Sequence, residues 1–91
     1  MAIEVRVPTV LRQHTGGEKT VTGEGATLRE LVADLERSHP GLGKALVDDS
    51  GSLHRFVNVY VNDEDVRFLG GVETPLEDGD TVSILPAVAG G

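Results

Sequence analysis

The sequence ends in two glycines, Gly90 and Gly91, and this end is the part of the chain best suited to chemistry. Glycine has no Cβ, so the catalytic groups of another protein can approach its backbone closely, and the carbonyl carbon of Gly91 is open to attack. A carboxylate is a poor electrophile, but adenylation by ATP would supply a leaving group, and a sulfur nucleophile could then form a thiocarboxylate. The glycine pair alone is equally consistent with a frayed terminus, so the preceding elements must decide.

The segment before the glycines is slim. Ala87 and Ala89 have small side chains, while Pro86 lacks a backbone donor and stiffens the root of the segment. We therefore expect a folded domain over residues 1–85 and a flexible tail that can thread into a narrow active site, formed by Pro86, Ala87, Val88, Ala89, Gly90 and Gly91. Ordering this tail costs on the order of 6–10 kcal/mol, so a docking patch on the folded body must supply most of the binding energy.

The other reactive residue types do not form a site in the sequence. The acidic turns Asp48–Asp49 and Asp63–Asp65 lack the ligand offsets of a calcium loop. The stretch Thr15–Thr20 faintly resembles a phosphate loop, but a glutamate separates its glycines from the lysine, and no strand–loop–helix pattern surrounds it. The sequence has three histidines, at positions 14, 39 and 54 (His14, His39 and His54). They lack the paired spacing of metal ligands. We therefore predict a protein that is not an enzyme and binds no metal or cofactor itself.

Composition excludes several classes of function. The chain has 91 residues, which is one small domain, and a formal net charge of -7, which disfavours nucleic acid and anionic membranes as partners. There is no cysteine, so disulfides, thiolate metal sites and cysteine nucleophiles are excluded together. No apolar run approaches the roughly 20 residues of a membrane span. We expect a cytoplasmic protein.

The elements that hold the tail are predicted from periodicity. Residues 3–7 alternate as a half-buried strand ended by Pro8, Thr9–Gly17 is predicted to be a turn or loop, and Glu18–Thr22 pairs back as a second strand. Thr27 begins a capping box, and the apolar spacing after it predicts an amphipathic helix that ends before Pro40. That apolar face consists of Leu28, Leu31, Val32 and Leu35, and a short second helical turn follows around Leu42, Ala45 and Leu46.

The second half of the chain is predicted to contain three strands. Phe56–Asn62 is the strongest, Asn62–Asp65 is a turn, and Val66–Phe68 is a short return strand. Another turn precedes the last strand, Thr81–Leu85. The order β-β-α-β-β-β is an α+β pattern typical of the β-grasp fold, a mixed sheet of four to five strands packed on one main helix. If the first and last strands are parallel neighbours, the last strand is central and anchors the tail.

Parity within the last strand predicts the docking patch. Val82 and Ile84 share the inward parity, which leaves Leu85 outward at the root of the tail. Phe56 and Phe68 could extend an outward apolar surface, together with Tyr60 and Leu69, although ordinary packing is the simpler interpretation for the aromatic residues.

The tail and its surroundings resemble a known family. The stretches "LEDGDTVSILPAVAGG", "VPTVLRQHTGG" and "LHRFVNVYVNDEDVRFLGG" are similar over essentially the full chain to the ubiquitin-like sulfur carriers of the MoaD and ThiS type, and within them to the cysteine-biosynthesis branch of actinobacteria. The resemblance implies that an E1-like enzyme of the MoeB or ThiF type adenylates Gly91 with ATP and that a sulfur donor then forms the thiocarboxylate.

The resemblance also implies partners. Sulfur would pass to an acceptor such as a pyridoxal-phosphate (PLP)-dependent sulfhydrylase or a thiosugar synthase, and in the cysteine branch a zinc metallopeptidase would release cysteine and restore the Gly-Gly end. The zinc and pyridoxal phosphate belong to those partners. The sequence leaves the pathway open between cysteine, a thiosugar or other natural product, molybdopterin and thiamine. Two other readings also stay open: a protein modifier conjugated to lysines through Gly91, and an interaction module whose tail is incidental.

Overall fold

The described part of the chain forms one sheet with helices packed on it. The computed structural model describes residues 2–55 and 57–86. Within them the strands are β1 (Ala2–Arg6), β2 (Thr20–Glu24), β3 (Val57–Val61), β4 (Glu64–Asp65) and β5 (Thr81–Pro86). Their order across the sheet is β2-β1-β5-β3-β4, so the last strand in sequence lies in the middle.

The pairing of β1 with β5 confirms the predicted β-grasp arrangement. These two strands are parallel, with Glu4 opposite Thr81 and Arg6 opposite Ser83. All other neighbours are antiparallel: β2 pairs with β1, while β3 pairs with both β5 and β4. The α+β class and the mixed sheet are therefore as predicted.

The first hairpin differs from prediction in its second strand. β2 begins two residues later and ends two residues later than the predicted Glu18–Thr22. Gly23 lies within the strand and faces the core. An added Cβ at this position would come within 2.6 Å of the Leu31 side chain. Glycine lets the strand pass close beneath the helix, and this packing role was invisible in the sequence. The connection before it contains a 3-10 helix, Thr9–His14.

The main helix, α1 (Leu28–Ser38), begins as the capping box predicted. The Thr27 hydroxyl accepts a hydrogen bond from the Glu30 backbone N–H at 3.3 Å, and the Glu30 carboxylate accepts from the Ala26 N–H at 2.9 Å. The helix ends at Ser38, two residues before Pro40, and a short helix α2 (Leu42–Leu46) follows. The predicted apolar face of α1 is buried, and it packs with inward residues of the sheet in one core.

The predicted return strand Val66–Phe68 is wrong. The strand opposite β3 is Glu64–Asp65, while Val66–Phe68 is a 3-10 helix. The turn is tighter than expected because Asn62 and Asp63 both adopt left-handed backbone angles, with φ of 49° and 73°, and so close the hairpin in two residues. A third 3-10 helix, Gly71–Glu73, leads toward β5. Within the described residues, no helix is long and apolar enough to cross a membrane.

Candidate functional site at the end of the last strand

Strand β5 is held firmly because β1 pairs with its first half and β3 pairs with all but its first residue. Thr81 to Ser83 lie opposite β1, and Val82 to Pro86 lie opposite β3. The inward residues Val82 and Ile84 are 1% and 2% exposed, as their parity predicted. The strand that leads to the predicted tail is therefore anchored in the sheet by hydrogen bonds and in the core by side chains.

Beyond Ser83 the strand has a neighbour on one side only. Pairing with β1 stops there, whereas Leu85 lies opposite Asn58 and Pro86 opposite Val57. The strand extends one residue past its predicted end, and the exposed Pro86 suits this terminal position because proline cannot donate to a ladder. Residues Ala87, Val88, Ala89, Gly90 and Gly91 lie outside the described residues, so their roles stay predictions.

Leu85 points to the outer face of the sheet, as predicted. Its side chain is 49% exposed, whereas that of the preceding Ile84 is buried. It lies at an open depression of about 530 Å³ that also includes Tyr60, Ser83 and the cationic residues Arg6, Arg12 and Lys19. We call this depression the basic groove.

Of the described aromatic residues proposed for docking, Phe68 does not join this surface, whereas Tyr60 does. Phe68 is 88% exposed, so the expectation that it packs in an ordinary way is wrong. It belongs to the 3-10 helix after β4, next to the 41% exposed Leu69, and it does not line the basic groove. Tyr60 is half-buried and does line it. Phe56 lies outside the described residues, so its part in docking stays a prediction.

Sequence reasoning missed the cluster of positive charge in the basic groove. Arg6 ends β1, Arg12 belongs to the 3-10 helix, and Lys19 directly precedes β2. Alternation in β1 implied that Arg6 points outward, but no periodicity links positions 6, 12 and 19. The Arg12 Nε donates to the backbone carbonyl of Val7 at 3.1 Å, which holds its guanidinium against the end of β1.

The polar network beside the groove is structural. Arg67 Nη2 donates to the Asp65 carboxylate at 2.9 Å and to the Asn58 Oδ1 at 2.8 Å. The hydrogen bond with Arg67 lowers the pKa of Asp65 below its ordinary value and raises the pKa of Arg67. Both groups therefore stay charged at neutral pH, and the network fastens the β3–β4 hairpin instead of moving a proton.

The remaining candidates for chemistry belong to turns. Thr15 is buried, and its hydroxyl donates to the Glu18 carbonyl at 2.9 Å, while the Asp48 carboxylate accepts from the Ser50 hydroxyl at 2.6 Å and its N–H at 2.9 Å. That hydroxyl bond lowers the pKa of Asp48. Among residues 2–55 and 57–86, no three histidine, aspartate or glutamate side chains are grouped so that they could hold a metal ion.

Comparison with known proteins gives the site a context. The model of the ThiS family matches residues 5–91. The sulfur carrier protein CysO of Mycobacterium tuberculosis is 57% identical over 93 residues that span the whole of both chains. Its crystal structure has a TM-score of 0.90 at 56% identity and covers 94% of this chain and 99% of that one. The β-grasp fold and the resemblance noted in the sequence are thereby confirmed.

Two further relatives have names that indicate different roles, one a carrier in a complex and the other a modifier. A crystal structure of the BexX/CysO complex of Amycolatopsis orientalis has a TM-score of 0.91 at 58% identity, covering 98% of this chain and 99% of that one. The small archaeal modifier protein 3 of Haloferax volcanii is 36% identical over 94 residues, again spanning both chains completely. Carriers and a modifier therefore share this architecture.

Proposed function

The chain belongs to the ThiS family, and from that premise we propose that it is a sulfur carrier whose Gly91 carboxylate is adenylated and converted to a thiocarboxylate. The observation that most supports the proposal is the placement of β5, a central strand paired on both sides that ends at an exposed Pro86 directly before the Gly-Gly segment. Such a root anchors the strand from which the tail is predicted to extend, and the small residues after it are the types that a narrow active site can admit.

The proposed chemistry proceeds in two balanced steps. The Gly91 carboxylate attacks the α-phosphate of ATP, forming an acyl-adenylate and releasing pyrophosphate. Hydrosulfide (HS⁻) then attacks the carbonyl carbon and expels AMP, which leaves the thiocarboxylate and a proton. A persulfide donor would instead form an acyl disulfide, and a thiol would then cleave its S–S bond, releasing the thiocarboxylate as a new disulfide forms. Thiocarboxylic acids are more acidic than alkyl thiols, so this sulfur is anionic at neutral pH and can attack the substrate of an acceptor enzyme. Transfer followed by hydrolysis restores the carboxylate.

The catalytic groups belong to partners in this proposal. An E1-like adenylating enzyme binds ATP, and an acceptor enzyme such as a PLP-dependent sulfhydrylase or a thiosugar synthase holds the sulfur-accepting substrate. A zinc metallopeptidase would regenerate the Gly-Gly end if the product stays attached to the carrier. The chain itself is a protein co-substrate in the cytoplasm that binds neither nucleic acid nor membrane. The identity with CysO favours cysteine biosynthesis as the pathway.

Intact-mass spectrometry tests the proposal directly. The chain is incubated with its E1-like enzyme, ATP and a sulfur source, and its mass is expected to rise by the difference between one sulfur and one oxygen atom. A variant that lacks Gly91 is the matched control and should show no change. An unchanged mass of the full chain, with an enzyme shown to activate another carrier, would contradict the proposal.

The identity with the small archaeal modifier protein 3 favours a second function, conjugation to lysines through Gly91. In that case the acyl group passes to a lysine amine and AMP leaves. Cell lysates carrying a tagged chain would then contain larger adducts that vanish when Gly91 is deleted. Trypsin leaves no short remnant, because no lysine or arginine lies between residues 68 and 91, so another protease is needed to map the sites.

A further inference from the structure

We propose that the basic groove is the docking surface for an acidic patch beside the active-site entrance of the activating enzyme. This inference rests on the proposed function, because it concerns how the folded body is held while Gly91 reacts. It reverses a simple reading of the net charge, according to which the acidic chain should be recognised by a basic partner.

Charge in the groove is opposite to charge in the molecule. Three of the eight lysines and arginines line it, and Asp63 is the one carboxylate among its lining residues, so the lining carries a net charge of about +2 in a chain of -7. The comparable depression between α1 and α2 has no such excess, since it combines Arg29 and Lys44 with Glu36, Asp48 and Asp49.

Strand register puts the charge next to the root of the tail. Arg6 lies opposite Ser83 on the neighbouring strand, and Leu85 is two residues further along β5. With strands about 4.8 Å apart and about 3.3 Å of rise per residue, the Arg6 and Leu85 backbones are within about 10 Å, close to the Debye length at 0.1 M salt. A partner that receives the tail at Leu85 therefore meets the field of these cations.

The cations are available to a partner. Arg6 contacts Glu4 at 3.3 Å, but the two side chains are 65% and 49% exposed, and an exposed pair of this kind is weak. Arg12 is held by the Val7 carbonyl and so presents its guanidinium in a fixed place, while Lys19 is exposed. Leu85 adds an apolar contact at the end of the groove, so the complementary surface has carboxylates around a small apolar pocket.

Charge reversal tests this inference. The test variant is Arg6→Glu/Lys19→Glu, and the matched control is Arg29→Glu/Lys44→Glu. The control also removes one arginine from an exposed ion pair and one exposed lysine, but both lie on the helix side of the molecule. The readout is the kcat and KM of adenylation by the E1-like enzyme at about 0.05 M and about 0.5 M salt. The Debye length is longer than about 10 Å at the lower concentration and shorter at the higher one, so the higher concentration screens the groove charges more strongly. Melting temperatures of all variants verify that they fold.

We expect the groove variant to raise the KM for the carrier about tenfold or more at low salt and by much less at high salt, with kcat unchanged, because steering acts before chemistry. The neutral variant Arg6→Gln/Lys19→Gln should have an intermediate KM, and the helix-side variant should match the wild type. Equal KM values for the groove and helix-side variants would overturn the inference while leaving the proposed function intact. A wild-type chain that the enzyme never adenylates contradicts the proposed function and the inference together.

Discussion

At the scale of single residues, Leu85 combines a fixed backbone position with an exposed apolar side chain. It belongs to the central strand, whose direction is fixed by pairing, and yet half of its side chain is in solvent. Because Leu85 also lines the basic groove next to the tail, a partner that receives the tail would contact it there. Ile84, its neighbour, is fully engaged in the core and has no such freedom.

Leu85→Ala is expected to raise the KM for adenylation about fivefold to 160-fold, because a buried leucine contributes roughly 1–3 kcal/mol to an interface core. Leu69→Ala is the matched control, since Leu69 is 41% exposed but lies away from the basic groove. Both variants should keep the wild-type melting temperature within a few degrees. Equal effects on KM would show that Leu85 has no special role in docking.

At the scale of elements, the helix cap carries a measurable share of stability. Thr27→Ala removes the acceptor for the Glu30 N–H and should lower the free energy of unfolding by about 0.5–2 kcal/mol. Urea denaturation followed by circular dichroism measures this loss. Thr27→Ser, which keeps the hydroxyl, should lose much less, and a loss as large as that of the alanine variant would argue against the capping bond.

Two glycines before α1 should respond differently to the same substitution. An added Cβ at Gly25 would come within 2.5 Å of the Leu31 backbone nitrogen, whereas at Gly23 the nearest atom, at 2.6 Å, is the Leu31 side-chain Cδ1. Backbone yields less readily than the end of a side chain, so Gly25→Ala should cost more than Gly23→Ala, with about 1–3 kcal/mol expected for overpacking. Paired denaturation curves decide the order, and the opposite order would contradict this packing.

The elements also show how far sequence reasoning reached. Local signals sufficed for β1 to within one residue at each end, for the cap at Thr27 and for the inward parity of Ile84, because each depends on spacing within a few residues. The return strand was misplaced because two successive left-handed residues, Asn62 and Asp63, shortened the turn. The basic groove could not be predicted, since it needs the strand order and register that place β1 between β2 and β5.

At the scale of the whole molecule, several carboxylates link stability to pH. Hydrogen bonds lower the pKa values of four of them: the Arg37 side chain acts on Asp34, the Gly41 N–H on Glu36, the Ser50 hydroxyl on Asp48 and the Arg67 side chain on Asp65. A carboxylate with a lowered folded pKa stabilises the fold above its unfolded value, and this stability disappears as the pH falls through the folded value.

The melting temperature should therefore change little between pH 7 and 5. It should decrease once the pH falls below the ordinary pKa values, which are 4.5 for glutamate and 3.8 for aspartate. Glu36→Gln should be less stable at pH 7, because the Glu36 carboxylate accepts from the Gly41 and Lys44 N–H groups between α1 and α2. It should also lose less on acidification. Differential scanning calorimetry across this range measures both effects, and a fall as steep as that of the wild type would exclude Glu36 as a contributor.

The parallel alignment of β1 and β5 has a mechanical consequence. Tension applied between Ala2 and Pro86 acts along two strands that run side by side in the same direction, so the interstrand bonds of this pair are loaded together in shear instead of opening one after another. A partner that pulls on the end of the chain thus loads the sheet in the direction in which it resists force best. The folded body should therefore resist unfolding when Pro86 is pulled while Ala2 is held.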